Sequence, residues 1–86
     1  MSDALSFEAF REHVAGKLEL APGTLAPRSS LADDLGFDSI RMMELLVAIE
    51  GLGVFLDEEV LVGMTTVDDA YRLYVAASTA ASTSPS

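Results

Sequence analysis

The stretch over residues 33–50, DDLGFDSIRMMELLVAIE, joins a turn to a helix and constrains the fold more than any other segment. Aspartates surround Gly36, and from Ile40 onward apolar residues recur at helical spacing, so the helix begins near Ser39. Asp38 is a favourable N-cap, because its side-chain oxygen can accept an unpaired N–H group of the first turn for about 1 kcal/mol. This predicts Ser39 at the first helical position. Its hydroxyl would face solvent near the positive end of the helix dipole, which favours an attached phosphate.

The length and charge of the chain limit its function. Eighty-six residues, half of them hydrophobic, suffice for one small domain, with an expected radius of gyration of about 12 Å. The net charge of −9, from 14 acidic and 5 basic residues, opposes binding to nucleic acid or to an anionic membrane and favours basic protein partners. We expect a monomer.

The chain has no cysteine, which excludes disulfides, a thiolate nucleophile and a cysteine-based metal site. It also shows no secretory leader and no long apolar segment, so we expect a cytoplasmic protein. Any thiol chemistry would need an added cofactor.

Apolar spacing predicts a first helix over residues 7–18, capped by Ser6, with an inward stripe of Phe7, Phe10, Val14 and Leu18. His13 lies beside this stripe, and we interpret it as a partly exposed residue without a special role. Residues 19–38 contain helix-interrupting prolines and glycine and form a long loop. Because long structureless loops are uncommon in compact domains, we expect four leucines to anchor this one to the core: Leu20, Leu25, Leu31 and Leu35.

The next helix is apolar on two faces. Four residues form an inward face: Met42, Leu45, Leu46 and Ile49. Four others form what we call the outward face: Ile40, Met43, Glu44 and Val47. The outward face is a candidate contact surface. The alternative is that its apolar residues are scattered surface hydrophobes or are buried under the long loop.

Two further helices are predicted. Gly51 and Gly53 end the preceding helix, and residues 57–61 form a short helix with three acidic residues near its N-terminus. Thr66 and Asp69 resemble a capping box that opens a last helix through about Ala76. Its inward stripe is Val67, Ala70, Tyr71 and Tyr74.

Together these elements predict an all-α fold: an antiparallel four-helix bundle, with three main helices and one short helix, and a long first loop. The domain covers residues 1–76. Residues 77–86 are mostly small and polar without apolar periodicity, so we interpret them as a flexible C-terminal tail.

Autonomous catalysis has little support in the residues. The single histidine, His13, lies on a different helix from Ser39, and no glycine-rich oxyanion turn accompanies the serine. The aspartates of residues 33–38 lack the ligand spacing of a calcium loop. A domain of this size also offers no evident substrate cleft for paired carboxylates. We therefore assign no catalytic residue and no metal ligand.

The sequence DLGFDSI at residues 34–40, followed by an amphipathic helix containing Glu44 and Leu45, resembles the phosphopantetheine attachment motif of acyl carrier proteins. The similarity covers roughly residues 5–76 and implies a four-helix bundle with a long first loop. It implies that Ser39, preceded by Asp38, receives 4′-phosphopantetheine from coenzyme A through a phosphopantetheinyl transferase. The thiol of this arm would then hold acyl groups as thioesters.

The resemblance also implies a surface for partner enzymes. The positions assigned to partner binding are Asp34, Ile40, Arg41, Met43, Glu44, Val47 and Glu50. Met42, Leu46 and Ile49 match positions that line the core or an acyl cavity. The expected partners are the transferase and an acyltransferase, a ketosynthase or an adenylating enzyme.

Two features point to different cargoes. Arg41-Met42-Met43 resembles aryl and aminoacyl carriers of nonribosomal peptide synthetases, whereas the acidic surface and the segment TVDD at residues 66–69 resemble discrete polyketide and fatty-acid carriers. Arg41 can also be read as a solvated charge that pairs weakly with Glu44. The first hypothesis is a non-catalytic acyl carrier of a polyketide or related specialised-metabolite pathway, such as antibiotic biosynthesis. The alternatives are an aryl or aminoacyl carrier, and a helical interaction module whose Ser39 stays unmodified.

Overall fold

Four α-helices follow one another in the computed structural model, which describes the backbone of residues 4–83 and the side chains of residues 4–78. They are α1 (Phe7–Leu18), α2 (Ser39–Glu50), α3 (Val60–Gly63) and α4 (Val67–Thr83), with a 3₁₀ turn at Pro22–Thr24. This part of the chain has no β-strand, only an isolated antiparallel bridge between Ser30 and Thr66. The predicted all-α bundle is confirmed, and the radius of gyration of 12.3 Å agrees with the expected value.

Helix α1 has the predicted bounds. The Ser6 hydroxyl accepts the Ala9 N–H group at 3.2 Å, and Phe10, Val14 and Leu18 are buried. Ala15, which the apolar stripe did not include, is buried beside them. The helix ends at Glu19, whose backbone is left-handed with φ of 60°.

Helices α1 and α2 run antiparallel. His13 in the middle of α1 contacts Ala48 near the end of α2, and Leu18 at the end of α1 contacts Arg41 near the start of α2. The pairing therefore places the C-terminal end of α1 beside the N-terminal end of α2.

The leucines of the long loop are anchors, as predicted. Leu25 and Leu31 are buried, and Leu20 and Leu35 are partly buried against the same core. Each anchor removes apolar surface from water, which stabilises the fold by about 25 cal/mol per Å². The loop between α1 and α2 is thus part of the packed body.

The same loop holds the beginning of α4. The Val67 N–H group donates to the Ser29 carbonyl at 3.1 Å, and the Asp68 N–H group donates to the Pro27 carbonyl at 2.9 Å. Leu31 in turn donates to the Thr65 carbonyl at 2.8 Å. Loop carbonyls therefore satisfy amides of the first turn of α4, which have no partner within that helix.

The predicted short helix at residues 57–61 is displaced in the structure. Helix α3 spans Val60–Gly63, and the three acidic residues 57–59 form turns before it. The N–H groups of Val60 and Leu61 donate to carbonyls only three residues back, which is turn geometry. Val60 and Leu61 pack against the core, and this packing places the helix later than the acidic pattern indicated.

The predicted end of the last helix is also wrong. Helix α4 continues to Thr83, past the expected boundary at Ala76. Residues 76–83 contain four alanines and neither glycine nor proline, and alanine has the highest helix propensity. The expected tail, residues 77–86, overlaps this helix, and its last three residues lie outside the described ones. The division into a domain of residues 1–76 and a flexible tail stays a prediction.

Four aromatic side chains join α1 to α4. Phe10 stacks on Tyr74 with ring centroids 5.3 Å apart, and Phe7 meets Tyr71 edge to face at 5.4 Å. The hydroxyl of Tyr71 donates to the Leu5 carbonyl, and the Leu5 N–H group donates to the Tyr74 hydroxyl, both at 2.8 Å. The two tyrosines thereby satisfy their polar ends while their rings pack in the core.

No helix in the described part of the chain combines the length and the apolar character needed to cross a membrane.

Candidate functional site

Ser39 is the first residue of α2, as predicted. A carboxylate oxygen of Asp38 accepts the Arg41 N–H group at 2.9 Å, and the Asp38 carbonyl accepts the Met42 N–H group at 2.9 Å. Asp38 is therefore the N-cap. The Ser39 side chain is exposed, and its hydroxyl has no hydrogen-bond partner among the side chains of residues 4–78 or the described backbone. A group attached to this oxygen would displace no existing interaction.

The turn before Ser39 is fixed from within. Gly36 has φ of 68°, a left-handed conformation that residues with a Cβ adopt only at a cost. Phe37 is buried, and its N–H group donates to the Leu31 carbonyl at 2.8 Å. A buried aromatic ring thus anchors the chain two residues before the serine, and the N-cap holds the backbone just after it.

Helix α2 has the two faces that the sequence predicted. Leu45, Leu46 and Ile49 are buried, and Met42 is partly buried against them. Ala48 is also buried, which the periodicity did not single out. On the outward face Ile40 is 68% exposed, Val47 62% and Met43 38%, and Glu44 is exposed as well.

The outward face forms one wall of an open groove of about 1070 Å³. The C-terminal end of α1 supplies the other wall, through Lys17, Leu18 and Glu19. The residues lining the groove on the side of α2 are Asp38, Ile40, Arg41, Met43, Glu44, Val47, Ala48 and Gly51. Sequence reasoning missed the contribution of α1, because no local pattern indicates which surface of a neighbouring helix will lie beside an exposed face.

Arg41 on α2 makes hydrogen bonds to residues on both walls of the groove. Its Nη1 donates to the Leu18 carbonyl at 3.1 Å and to a carboxylate oxygen of Glu44 at 3.1 Å. The predicted pairing with Glu44 is confirmed, and an exposed pair of this kind contributes only a few tenths of a kcal/mol. The bond to Leu18 was not predicted. The bond satisfies the Leu18 carbonyl, which lies in the last turn of α1 and receives no N–H group from within the helix.

Two residues assigned to partner binding have structural roles. The Asp34 carboxylate accepts the Ser30 N–H group at 2.7 Å within the loop. The Glu50 carboxylate accepts the Leu56 N–H group at 3.3 Å, and Glu50 is half-buried. These carboxylates accept backbone N–H groups, whereas Glu44 is exposed on the outward face and pairs with the side chain of Arg41.

His13 is partly exposed, as predicted, and its imidazole makes a structural contact with α2. Its Nε2 lies 2.9 Å from the Ala48 carbonyl oxygen. Because a carbonyl only accepts, Nε2 carries the proton in this bond. Ala48 is nine residues after Ser39, or about 13 Å along the helix at 1.5 Å per residue. The imidazole is therefore not placed to activate Ser39.

The described residues contain no group of three or more histidine, aspartate or glutamate side chains that could hold a metal ion. The free hydroxyl of Ser39 and the helix N-terminus around it fit a phosphate ester instead. The dipole of α2 places partial positive charge at this end, which favours an attached phosphate by about 0.3–1 kcal/mol.

Comparison with protein families agrees with this geometry. The family model described as "Phosphopantetheine attachment site" matches residues 8–73, about three quarters of the chain. The match begins in α1 and ends within α4, so it includes Ser39 and both walls of the groove. Carrier domains of this family are generally non-catalytic and interact with modifying and processing enzymes. The chain thus belongs to the phosphopantetheine attachment site family, whose members bind 4′-phosphopantetheine covalently.

Proposed function

We propose that this protein is a non-catalytic carrier that holds acyl intermediates as thioesters on an arm attached to Ser39. It presents them to enzymes of a polyketide or related specialised-metabolite pathway. The observation that carries this proposal is the exposed, unpartnered hydroxyl of Ser39 at the capped start of α2. The family match supplies the cofactor.

The residues around Ser39 orient the attachment. Asp38 caps the helix and fixes the direction in which the next residue leaves the turn. When bound, 4′-phosphopantetheine supplies the thiol that the cysteine-free chain lacks. The protein contributes a fixed root for the arm and a surface beside it.

The outward face and its surroundings are the proposed docking surface for partner enzymes. Three exposed apolar side chains, Ile40, Met43 and Val47, lie around Glu44. Exposed apolar side chains next to a charged group offer a partner both apolar contact area and electrostatic attraction, and the charge of −9 favours basic partners. A phosphopantetheinyl transferase and an acyltransferase or ketosynthase are the partners of this proposal, and the cytoplasm is its proposed location.

An aryl or aminoacyl cargo, loaded by an adenylating enzyme, is the second candidate because of the resemblance at residues 41–43. The segments that resemble the two carrier types, residues 41–43 and 66–69, also contain residues with structural roles. Arg41 bonds Leu18 and Glu44, while Thr66 and Asp69 cap α4. Because these structural roles are enough to explain why the residues are present, they do not favour one cargo class. Loading assays must separate the two classes.

The attachment is tested by incubating the protein with coenzyme A and a broad-specificity phosphopantetheinyl transferase and then measuring its mass. The wild type should gain one arm and Ser39→Ala none. Because the Ser39 hydroxyl has no hydrogen-bond partner in the described part of the chain, the alanine variant should keep the circular dichroism spectrum of the wild type. Thr65→Ala, which removes another exposed hydroxyl, is the control and should gain the arm normally. An unmodified wild type would leave the helical interaction module as the better explanation, and equal modification of Ser39→Ala would contradict Ser39 as the attachment site.

The modified protein is then offered to a malonyl-type acyltransferase with its acyl-coenzyme A, and separately to adenylating enzymes with aryl or amino acids. Acylation only in the first reaction supports the polyketide-type carrier. Acylation only in the second supports the aryl or aminoacyl carrier.

A further inference from the structure

Arg41 is the only basic residue between positions 29 and 71, and every other charged residue in that stretch is acidic. It lies two residues after Ser39, within the surface that is proposed to attract basic partners. A cation repels such partners, so docking by charge would be served better by a neutral residue at this position. The contacts of Arg41 within the molecule offer a different explanation for its presence.

The guanidinium of Arg41 joins the first turn of α2 to the end of α1. Its Nη1 carries two hydrogens, and it donates to the Leu18 carbonyl and to the Glu44 carboxylate, both at 3.1 Å. A hydrogen bond from a charged donor is stronger than a neutral one, and the bond to Leu18 is partly buried, which limits competition from water. The two helices are therefore linked beside Ser39.

The acceptor of this link belongs to a rigid part of the molecule. Leu18 is buried, with 3% of its surface exposed. The helix end after it is closed by the N–H groups of Glu19 and Leu20, which both donate to the Ala15 carbonyl. A bond to the Leu18 carbonyl thus fixes Arg41 relative to the core.

The donor belongs to the turn that carries Ser39. The Arg41 N–H group donates to the Asp38 carboxylate, and the Met42 N–H group donates to the Asp38 carbonyl, both at 2.9 Å. These bonds lie within the turn, so they maintain its shape but do not join it to another element. Phe37 is buried before Ser39, and the Arg41 guanidinium adds an anchor to α1 after it.

We propose that Arg41 is a positioning residue for the attachment reaction, because its bond to the Leu18 carbonyl holds the first turn of α2 against α1 and so fixes the Ser39 hydroxyl. This inference rests on the proposed function. In the reaction, the Ser39 oxygen forms a bond to the β-phosphorus of coenzyme A, the adenosine bisphosphate leaves with the electrons of the broken P–O bond, and a base of the transferase takes the hydroxyl proton. A nucleophile held in one place reacts faster than a mobile one, because less freedom is lost on reaching the transition state.

Steady-state kinetics of the transferase separate this role from an effect of surface charge. Arg41→Met keeps the length of the side chain but removes its charge and its donors. Positioning predicts that kcat falls about fivefold while KM changes little, because Met43 and Val47 still offer the docking surface. A charge effect alone predicts a lower KM and an unchanged kcat, since a repulsive cation is removed. An unchanged or higher kcat would overturn the inference.

Three further variants test whether the effect belongs to the link beside Ser39. Arg41→Lys restores a charged donor and should recover part of kcat. Arg72→Met removes an exposed cation that pairs with Asp68 on α4, and it should leave kcat unchanged. His13→Leu removes the bond from α1 to the Ala48 carbonyl, near the other end of α2. If His13→Leu lowered kcat as much as Arg41→Met, the cause would be a general loss of stability, and the inference would be wrong.

Amide hydrogen exchange of the unmodified protein measures the link without the transferase. Arg41→Met should speed exchange of the Met42 N–H group in the first turn of α2, whereas the Gly51 N–H group, bonded to the Val47 carbonyl at the other end, should keep its rate. Normal exchange at Met42 in the variant would overturn the inference. If the wild type gains no arm although Met42 is protected, the proposed function fails, and the bond of Arg41 to Leu18 is only a structural contact.

Discussion

Glu19 ends α1 in a backbone conformation that glycine adopts more easily. Its φ is 60°, and it is the only residue other than glycine with positive φ among those described. Its N–H group donates to carbonyls of the last turn, and the Leu20 N–H group donates to the Ala15 carbonyl at 2.8 Å. This is the hydrogen-bond pattern of a helix end at which glycine is usual. The glutamate therefore keeps a strained position, and its side chain lines the groove.

Glu19→Gly is expected to raise the free energy of unfolding by about 1 kcal/mol, because the left-handed conformation costs a residue with a Cβ about 1–2 kcal/mol and the more flexible unfolded chain offsets part of the gain. Urea denaturation at neutral pH measures the change. Lys17→Gly, at an exposed site inside α1, is the control and should lower the free energy of unfolding by about 1 kcal/mol. A lower free energy of unfolding for Glu19→Gly would contradict this prediction. It would show that the Glu19 side chain stabilises the fold by more than its left-handed backbone destabilises it.

Within a single element, the N-terminus of α4 shows how backbone N–H groups that lack a partner inside the helix find hydrogen-bond acceptors elsewhere. Asp69 accepts the N–H groups of Thr65 and Thr66 at 3.1 Å each, and the Thr66 hydroxyl accepts the Asp69 N–H group at 3.1 Å. The predicted capping box is confirmed, and its aspartate accepts one amide more than the pattern requires. Loop carbonyls satisfy the two amides in between.

These bonds make the stability of α4 dependent on pH. The N–H groups of Thr66 and Thr65 hold the pKa of the Asp69 carboxyl below its usual value of 3.8. Because the folded pKa is lower, the unfolded chain binds the proton more readily. The contribution of Asp69 is therefore fully present above about pH 4 and is lost as pH falls through the folded pKa.

Asp69→Asn keeps the shape of the side chain but removes the charge. It should be less stable than the wild type at pH 7, and the difference should shrink as the pH falls below 4. Thermal unfolding of both proteins between pH 7 and pH 2.5 checks this, and Asp57→Asn, at an exposed residue without such bonds, is the control. A difference that stays constant with pH would contradict the charge-based explanation.

At the scale of the whole molecule, charge dominates the surface. The 86 residues carry a net charge of −9, and no buried residue in the described part is polar or charged. The acidic groups are therefore at the surface, where salt screens them over about 8 Å at physiological ionic strength.

Association of the unmodified protein with a phosphopantetheinyl transferase should weaken as salt is raised, because screening removes the attraction between opposite charges. Titrations at several salt concentrations measure the dependence of Kd. Glu44→Gln, on the outward face, should show a shallower dependence, whereas Glu8→Gln, exposed on α1, should resemble the wild type. An affinity independent of salt would contradict docking led by charge.

The features that the sequence predicted correctly depend on neighbours a few residues apart. The cap of Asp38 on Arg41 spans three residues, and so does the pair of Thr66 and Asp69. The two faces of α2 follow from the helical period alone. The motif around Ser39 is equally local, so it indicates the family without reference to the tertiary structure.

Some errors were also local. The alanines of residues 76–83 favour helix by intrinsic propensity, so α4 continues there without apolar periodicity. Helix α3 starts later than predicted for a different reason. Acidic residues suit both a first helical turn and the turn before it. Packing of Val60 and Leu61 decides between these.

Local patterns in the sequence specify where the three main helices begin, their N-caps, the exposed serine and the two faces of α2, because hydrogen bonds and periodicity within one or two helical turns define these features. Which surfaces of the helices meet depends on tertiary packing. Arg41 contacts Leu18 across 23 residues of chain, and His13 contacts Ala48 across 35. Such contacts form only when packing of the whole core sets α1 against α2. The groove beside Ser39 is a product of that packing.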